Sequence, residues 1–358
     1  SAKVGTTATV NANKTVSFVA DSSTAKVSTV TLVGTDVSQV ANGTNAFTYT
    51  VTVVDNNGNP VAGATVTPAS DKADVNVKVN GSTNASGQAT ITLTSTIKAV
   101  ADITVSAKVG TTAIVNANKT VSFVADSSTA KVSSVTLVGT DVSQVANGTN
   151  AFTYTVTVVD THGNPVAGAT VTPASDKADV KISVGGTTNA SGQATITLTS
   201  TTKAVADITV NAKVGTTAVV NANKTVSFVA DSSTAKVSAV TLNGDTQSKV
   251  ANGTNAFTYT VTVVDNNGNP VAGATVTPAS DKADVKISEG DTTNAGGQAT
   301  ITLTSTTQAV ADITVSAKVG TTAVVNANKT VSFTADSSTA KVSSVTLVGT
   351  EVSQVANG

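Results

Sequence analysis

Apolar and polar residues alternate with a period of two along most of the chain. In the stretch AFTYTVTVVD, Phe152, Tyr154, Val156 and Val158 fall on one face and threonines fall on the other. The same alternation continues through Ala194, Ile196 and Leu198, through Ile208, Val210, Ala212 and Val214, and through Val226, Phe228 and Ala230. Because successive side chains of a strand point to opposite faces, this pattern predicts β-strands with one buried face. Turn-forming sequences such as NGTN and NASG recur every ~8–12 residues, which indicates an all-β sandwich.

The whole pattern repeats every 105 residues without a gap. The segment VTVVDNNGNPVAGATVTPAS at 51–70 returns almost unchanged at 156–175 and 261–280, and residues 44–148 are identical to 149–253 at 89 of 105 positions. This period is too long for a solenoid unit, but it fits an immunoglobulin-like (Ig-like) sandwich of ~100 residues. We therefore predict tandem Ig-like β-sandwich domains arranged end to end.

The short polar segment DSSTAK separates two strand-like runs in each repeat and is the predicted domain boundary. A boundary after its lysine gives complete domains at 27–131, 132–236 and 237–341. Residues 1–26 are then the C-terminal part of a preceding domain and 342–358 the N-terminal part of a following one, so we expect a piece of a longer protein. The segment DSSTAKV has no Gly or Pro, unlike a random-coil linker, so we expect an elongated rod with limited bending.

The composition narrows the chemistry that the chain can support. Charged residues make up 12% of the chain, the formal net charge is −1, and every basic residue is Lys. Such a chain lacks the concentrated basic face that nucleic acid requires, so we expect no nucleic-acid partner. The absence of Cys excludes disulfides, thiolate nucleophiles and cysteine-ligated zinc. No apolar run approaches ~18–20 residues, so we expect no membrane-spanning segment.

The sequence DNNGNP at 55–60 has two interpretations. It resembles the start of an acidic calcium loop, but the further carboxylates of such a loop do not follow, and the second copy has Thr161 and His162 in its middle. We favour a strand-exit turn, in which Gly58 adopts a positive φ and Pro60 ends the ladder pairing. His162 is the single histidine of the chain, so a general base or metal ligand repeated in each domain is not expected.

Four other features have chemical and structural interpretations. The DKAD sequences at 71–74, 176–179 and 281–284 suggest either a cation site or a solvated loop with weak ion pairing, and we favour the loop. Outward threonine rows suggest either an ice- or strand-binding surface or the solvated face of a sheet. An isopeptide crosslink would use Lys14, Lys119, Lys224 or Lys329, but the sequence places no acid beside them. Glycosylation-type sequences at Asn42, Asn80, Asn84 and Asn118 indicate only exposed loops.

Three segments of each repeat carry a family resemblance. The run VVDNNGNPVAGATVT, followed by TNASGQATITLTST and then ADITVSAKV, resembles the group 1 bacterial immunoglobulin-like domain, which forms tandem arrays in intimin/invasin (inverse autotransporter) adhesins. The resemblance covers all three repeats and both terminal fragments. It implies a β-sandwich and an extracellular stalk, attached to the outer membrane of a Gram-negative bacterium through a segment outside this chain.

Two functions fit this resemblance. The first is a structural stalk that projects a distal adhesive tip towards a ligand on a host or neighbouring cell, while the repeats contact only one another. The second is a multivalent binding module, in which the repeats themselves hold host protein, glycan or sister fibres. Differences between repeats cluster at 76–82 and 138–144, and such variation does not suit one repeated binding site. We favour the stalk and predict no catalytic residue, cofactor or metal ion, and therefore no enzyme.

Overall fold

The computed structural model describes residues 1–288, 291–350 and 353, and it contains three β-sandwich domains in tandem. Each domain encloses its own hydrophobic core. The predicted all-β fold with tandem Ig-like sandwiches is therefore confirmed. In the described part of the chain, no helix has the length and apolar character needed to cross a membrane.

Among the described residues, each domain contains ten strands at equivalent positions. Those of the first domain are β1 (Lys26–Leu32), β2 (Ser38–Val40), β3 (Ala46–Val54), β4 (Val66–Ser70), β5 (Val75–Asn80), β6 (Gln88–Ser95), β7 (Val100–Ile103), β8 (Val105–Val109), β9 (Val115–Asn116) and β10 (Val121–Val124). Those of the second are β11 (Lys131–Leu137), β12 (Ser143–Val145), β13 (Ala151–Val159), β14 (Val171–Ser175), β15 (Val180–Val184), β16 (Gln193–Ser200), β17 (Val205–Ile208), β18 (Val210–Val214), β19 (Val220–Asn221) and β20 (Val226–Val229). Those of the third are β21 (Lys236–Leu242), β22 (Ser248–Val250), β23 (Ala256–Val264), β24 (Val276–Ser280), β25 (Val285–Ile287), β26 (Gln298–Ser305), β27 (Val310–Ile313), β28 (Val315–Val319), β29 (Val325–Asn326) and β30 (Val331–Thr334).

The strands of the first domain form two layers. One layer is the antiparallel sheet β1-β3-β6-β5. The other contains the sheets β2-β10-β7 and β4-β8-β9, and only Thr104 separates β7 from β8, so these two sheets continue into one another. Strands β2 and β10 pair in parallel. The other two domains repeat this order, which is the expected consequence of a repeated sequence.

Alternating residues of the long strands form the core, as the sequence predicts. Phe152, Tyr154, Val156 and Val158 of β13 are buried, and so are the apolar residues of β16. Across the sandwich, the rings of Phe152 and Phe228 pack at a centroid distance of 5.1 Å and an angle of 56°, a tilted arrangement that suits aromatic pairs. The equivalent pairs of the other two domains have the same spacing of 5.1 Å.

Each linker between domains is ordered by a short 3₁₀ turn. Strand β10 ends at Val124 and β11 begins at Lys131, and the turn between them spans Ser127–Thr129. The Asp126 carboxylate caps this turn by accepting a hydrogen bond from the Ser128 N–H at 3.0 Å. Ala130 is buried in the core of the second domain, so the linker is anchored to the domain that follows it. Equivalent turns span Ser22–Thr24, Ser232–Thr234 and Ser337–Thr339.

Candidate functional site

The DNNGNP sequence lies where one domain meets the next. In the second domain its counterpart, DTHGNP, connects β13 to β14, and Gly163 has a φ of 84° and donates from its N–H to the Asp160 carbonyl at 3.2 Å. The predicted strand-exit turn is therefore present, but the prediction that the proline ends the pairing is wrong, because Pro165 forms a β-bridge with Val159. The structure adds that the same turn reaches the preceding domain, so the junction between domains is the candidate functional site.

One asparagine side chain of this turn joins the two domains. The Asn164 Nδ2 donates to the Ile97 carbonyl at 2.8 Å, and the Asn164 Oδ1 accepts from the Ala99 N–H at 2.8 Å. We call this pair of hydrogen bonds the amide clamp. The second junction repeats it, since Asn269 donates to the Thr202 carbonyl at 2.9 Å and accepts from the Ala204 N–H at 2.8 Å. Both asparagines are buried.

A buried carboxylate behind the amide clamp orients the asparagine. Asp160 Oδ2 accepts from the Asn164 Nδ2 at 2.9 Å and from the linker N–H of Asp126 at 3.1 Å. Its Oδ1 accepts from the N–H groups of His162 at 2.8 Å and Asn164 at 2.9 Å. Asp265 makes the same four contacts in the third domain. One carboxylate thus connects the linker, the turn and the amide clamp.

These contacts also fix the charge of the aspartates. In Asp55, of the first domain, the hydrogen bond from the Asn59 side chain and further backbone N–H donors hold the pKa at about 2. Around Asp160 and Asp265, burial acts to raise the pKa, but the hydrogen bonds from the Asn side chain and from three backbone N–H groups outweigh it, so the pKa is lowered. The junction aspartates are therefore ionised at neutral pH.

The loop that receives the amide clamp has a strained backbone. Ile97 and Thr202, whose carbonyls accept the two asparagine side chains, both have a φ of 84°. Such a conformation is unusual for β-branched residues and costs on the order of 1–3 kcal/mol. Thr307 has a φ of 90° at the equivalent position of the third domain, where no described residue donates to its carbonyl. Each domain therefore forms the receiving conformation by itself.

An apolar cleft lies beside the amide clamp. Its volume is about 600 Å³, and its walls include Val100, Phe123 and Val124 of one domain and Pro165 and Val166 of the next. The two domains thus contact each other through the clamp and the edge of this cleft.

The structure assigns local roles to the other candidate residues. In the DKAD loop, Asp71 Oδ1 accepts from the Thr104 N–H at 2.8 Å, and its Oδ2 lies 3.8 Å from the Lys72 ammonium with both side chains solvated. His162 is exposed within the junction turn. Lys14, Lys119 and Lys224 are exposed as well, not buried as a crosslink would require, whereas Lys329 is half-buried and its ammonium lies 3.3 Å from Asp245 Oδ1. Among the residues that the structure describes, no group of three or more potential ligands could hold a metal ion.

Of the glycosylation-type asparagines, Asn42 and Asn84 close turns with their side-chain oxygens, whereas Asn80 lies in β5 and donates from Nδ2 to Thr92 Oγ1 at 3.1 Å. Asn42 Oδ1 accepts from the N–H groups of Thr44 at 3.0 Å and Asn45 at 2.7 Å. Asn118 Oδ1 accepts from the Leu32 N–H at 3.0 Å. These side chains stabilise connections between strands, a role that the sequence pattern alone did not reveal.

The amide clamp was also missed from the sequence. Its partners are 65 and 67 residues apart in the chain, and an asparagine between Gly and Pro is typical of an ordinary turn. One signal was available within the repeats. Positions 56 and 57 change to Thr161 and His162 in the second copy, whereas Asn59 is retained as Asn164 and Asn269.

Comparisons with known proteins agree with this architecture. Residues 29–124, 134–229 and 239–334 each match the bacterial Ig-like domain (group 1) family. The inverse autotransporter adhesin YeeJ of Escherichia coli strain K12 is 33% identical over 183 residues, which are 49% of this chain. That alignment spans only 7% of the length of YeeJ.

Two solved adhesin structures resemble the chain, and the first supports the same fold. InvD of Yersinia pseudotuberculosis has a TM-score of 0.51 and 18% identity, over 87% of this chain and 99% of that chain. The Escherichia coli adhesin FdeC has a TM-score of 0.48 and 20% identity, over 89% of this chain and 100% of that chain. Three family matches cover most of the chain, and the chain therefore belongs to the bacterial Ig-like domain (group 1) family.

Proposed function

We propose that this chain is a stalk segment of a bacterial surface adhesin, and that it projects a distal adhesive tip from the outer membrane. The observation that carries the proposal is the amide clamp, which recurs with the same contacts at both junctions. A spacer needs such a repeated contact between neighbouring domains, because the contact holds successive domains in a defined orientation.

The energetics suit a semi-rigid stalk. Two hydrogen bonds of about 1 kcal/mol each would not hold free domains together in solution. The linker of six residues, 125–130, keeps the partners close, however, and so raises their effective concentration. The clamp then selects one orientation while it remains easy to open. We expect a stalk that stays extended and bends under load without unfolding its domains.

The proposed partner of the whole protein is a ligand on a host or neighbouring cell, bound by a domain outside this chain. The proposed location is the bacterial cell surface. Neither requires a binding site on the repeats.

The proposal is tested by replacing the three repeats in the whole adhesin with three unrelated Ig-like domains of similar length. If the repeats are a spacer, adhesion of the displaying bacteria is retained with the replacement and falls when the repeats are simply deleted. Loss of adhesion in the replaced protein, together with binding of the purified chain to target cells, would instead establish the multivalent binding module.

A further inference from the structure

We propose that Asp160 and Asp265 make the junctions sensitive to acid. When ionised they hold the amide clamp closed, and when protonated they free the junction while the sandwiches stay folded. This is a conformational property of the junction and does not depend on whether the repeats act as a stalk.

The geometry leaves no room for a proton on the Asp160 carboxylate. Each of its two oxygens already accepts two hydrogen bonds, from Asn164 Nδ2 and the Asp126 N–H on one side and from the His162 and Asn164 N–H groups on the other. Protonation would turn one oxygen into a donor that faces other donors. Either the linker and the amide clamp, or the turn that positions Asn164, then loses its acceptor.

Other ionisable groups near Asp160 do not replace these contacts. The charged or titratable side chains on the segments around it are Asp126 of the linker, Lys131 of β11, His162 of its own turn and Lys98 of the receiving loop. The Asp126 carboxylate is engaged by its own 3₁₀ turn. Among the described residues Asp160 forms no ion pair, so hydrogen bonds alone stabilise its charge.

The second junction has the same arrangement. The corresponding groups around Asp265 are Asp231, Lys236 and Lys203, and the Lys236 ammonium donates to Asn266 Oδ1 at 3.0 Å. No recorded ion pair in the described part of the chain includes Asp265.

The domains contain few other buried groups that acid would protonate. Among the described residues, Asp55, Asp160 and Asp265 are the only buried charged side chains, and all three lie in the junction turn. The cores are formed by aliphatic and aromatic residues that do not titrate in acid. Because the folded pKa is lowered, the contribution of each Asp is present above its unfolded pKa of ~3.9 and is lost as the pH falls through the folded value. Acid should therefore release the junction before it unfolds the domains.

The test measures distances between spin labels on the full chain. The protein contains no Cys, so Asn76→Cys with Lys181→Cys spans the first junction, and Lys181→Cys with Lys286→Cys spans the second. The three sites are exposed and structurally equivalent. Distance distributions are recorded from neutral pH to about pH 2, and circular dichroism follows the β-structure of the same samples.

We expect a narrow distribution at neutral pH and its loss as the pH falls through the lowered folded pKa of the two aspartates, with the β-signal retained. Asp160→Asn with Asp265→Asn should lose the narrow distribution already at neutral pH. The control pair Asp176→Asn with Asp281→Asn removes carboxylates that accept one backbone N–H each within a domain, and it should behave as the wild type. A distribution unchanged by acid, unfolding that coincides with the broadening, or a narrow distribution in the Asp160/Asp265 double variant would each overturn the proposal.

Discussion

Tyr49, Tyr154 and Tyr259 each bury a hydroxyl group that has no hydrogen-bond partner among the described residues. A buried, unsatisfied hydroxyl costs on the order of 1–3 kcal/mol. Because deleting it leaves the packed ring in place, we expect Tyr154→Phe to leave the free energy of unfolding unchanged or to raise it. Chemical denaturation checks this, with Tyr154→Leu as a control that opens a cavity and lowers stability. A clear loss of stability in Tyr154→Phe would show that the hydroxyl has a partner.

The same tyrosines predict an alkaline transition. Burial raises the pKa of each tyrosine to about 12, above the value of ~10 in an unfolded chain. Because the pKa is higher in the folded state, the protonated tyrosines contribute fully to the stability of the fold below pH ~10. This contribution is lost as the pH rises through about 12. Melting temperatures measured over this range should fall in the wild type. They should fall less when all three tyrosines are replaced by Phe, and an equal fall in both proteins would contradict the assignment.

Gly192 has a steric role that a second glycine of the same domain lacks. A Cβ added at Gly192 would lie 2.5 Å from the Val158 carbonyl oxygen, whereas one added at Gly168 would meet nothing within 4 Å. Their φ values are 71° and 73°, so replacement by Ala strains both backbones alike. We therefore expect Gly192→Ala to destabilise the protein by clearly more than the ~1–2 kcal/mol expected for Gly168→Ala from backbone strain alone. Equal losses in denaturation experiments would show that the neighbouring backbone moves away freely.

At the scale of elements, the strands follow from local sequence and the junction does not. The alternation around Tyr154 and Ile196 fixes which face is buried, and the burial of both residues is as predicted. The turn at Gly163 was predictable too, because few residues adopt a positive φ there. The amide clamp depends on how two domains meet, and no periodicity within one domain encodes that relation. The turn in the linker was missed because DSSTAK is short and mostly polar and has no hydrophobic period.

The amide clamp itself predicts a change in stiffness. Asn164→Ala removes both hydrogen bonds to the preceding domain, worth about 2 kcal/mol together at about 1 kcal/mol each. Label distances across the first junction should therefore broaden, while the cores stay folded. Asn59→Ala is the matched control, because Asn59 makes the same bond to its own Asp55 but has no recorded partner in the described part of a preceding domain. Equal broadening in both variants would assign the effect to a general loss of domain order instead of the clamp.

One of the residues that differ between the two junctions allows a reciprocal test. Asn267 Nδ2 donates to the Ala146 carbonyl of the preceding domain at 3.3 Å, whereas the first junction has His162 in this position. We expect Asn267→His to broaden the distance distribution at the second junction and His162→Asn to narrow it at the first. Small-angle scattering or label distances on both single variants test this prediction. If both substitutions broadened the distance distribution, or both narrowed it, the prediction would be wrong.

At the scale of the whole molecule, the order of the domains and the fold class were predictable because the sequence repeats and alternates. The consequences of repetition were only partly predictable. The junction turn ends a strand of its own domain and also binds the neighbouring domain. Only the second role could not be predicted without the structure. A chain with fewer identical copies would have hidden the retained Asn59 position among ordinary turn residues.

Metal removal gives a prediction at this scale. The described residues contain no cluster that could hold a metal ion, and the junction turn engages its carboxylate with four N–H donors in place of a cation. We therefore expect the same melting temperature and the same distances across both junctions with and without EDTA. A lower melting temperature in EDTA, restored by calcium, would show that the turn is a cation site.

The amide clamp has a genetic consequence. Its donor and acceptor are separated by 67 residues at both junctions, and each domain carries both halves. Recombination between near-identical copies of the coding sequence can therefore remove or insert one full period and leave a correct donor opposite a correct acceptor at the new join. Such alleles would differ in reach but not in fold. We expect natural variants of the gene to differ by whole periods of the repeat, with partial periods absent because they would separate the two halves of the clamp.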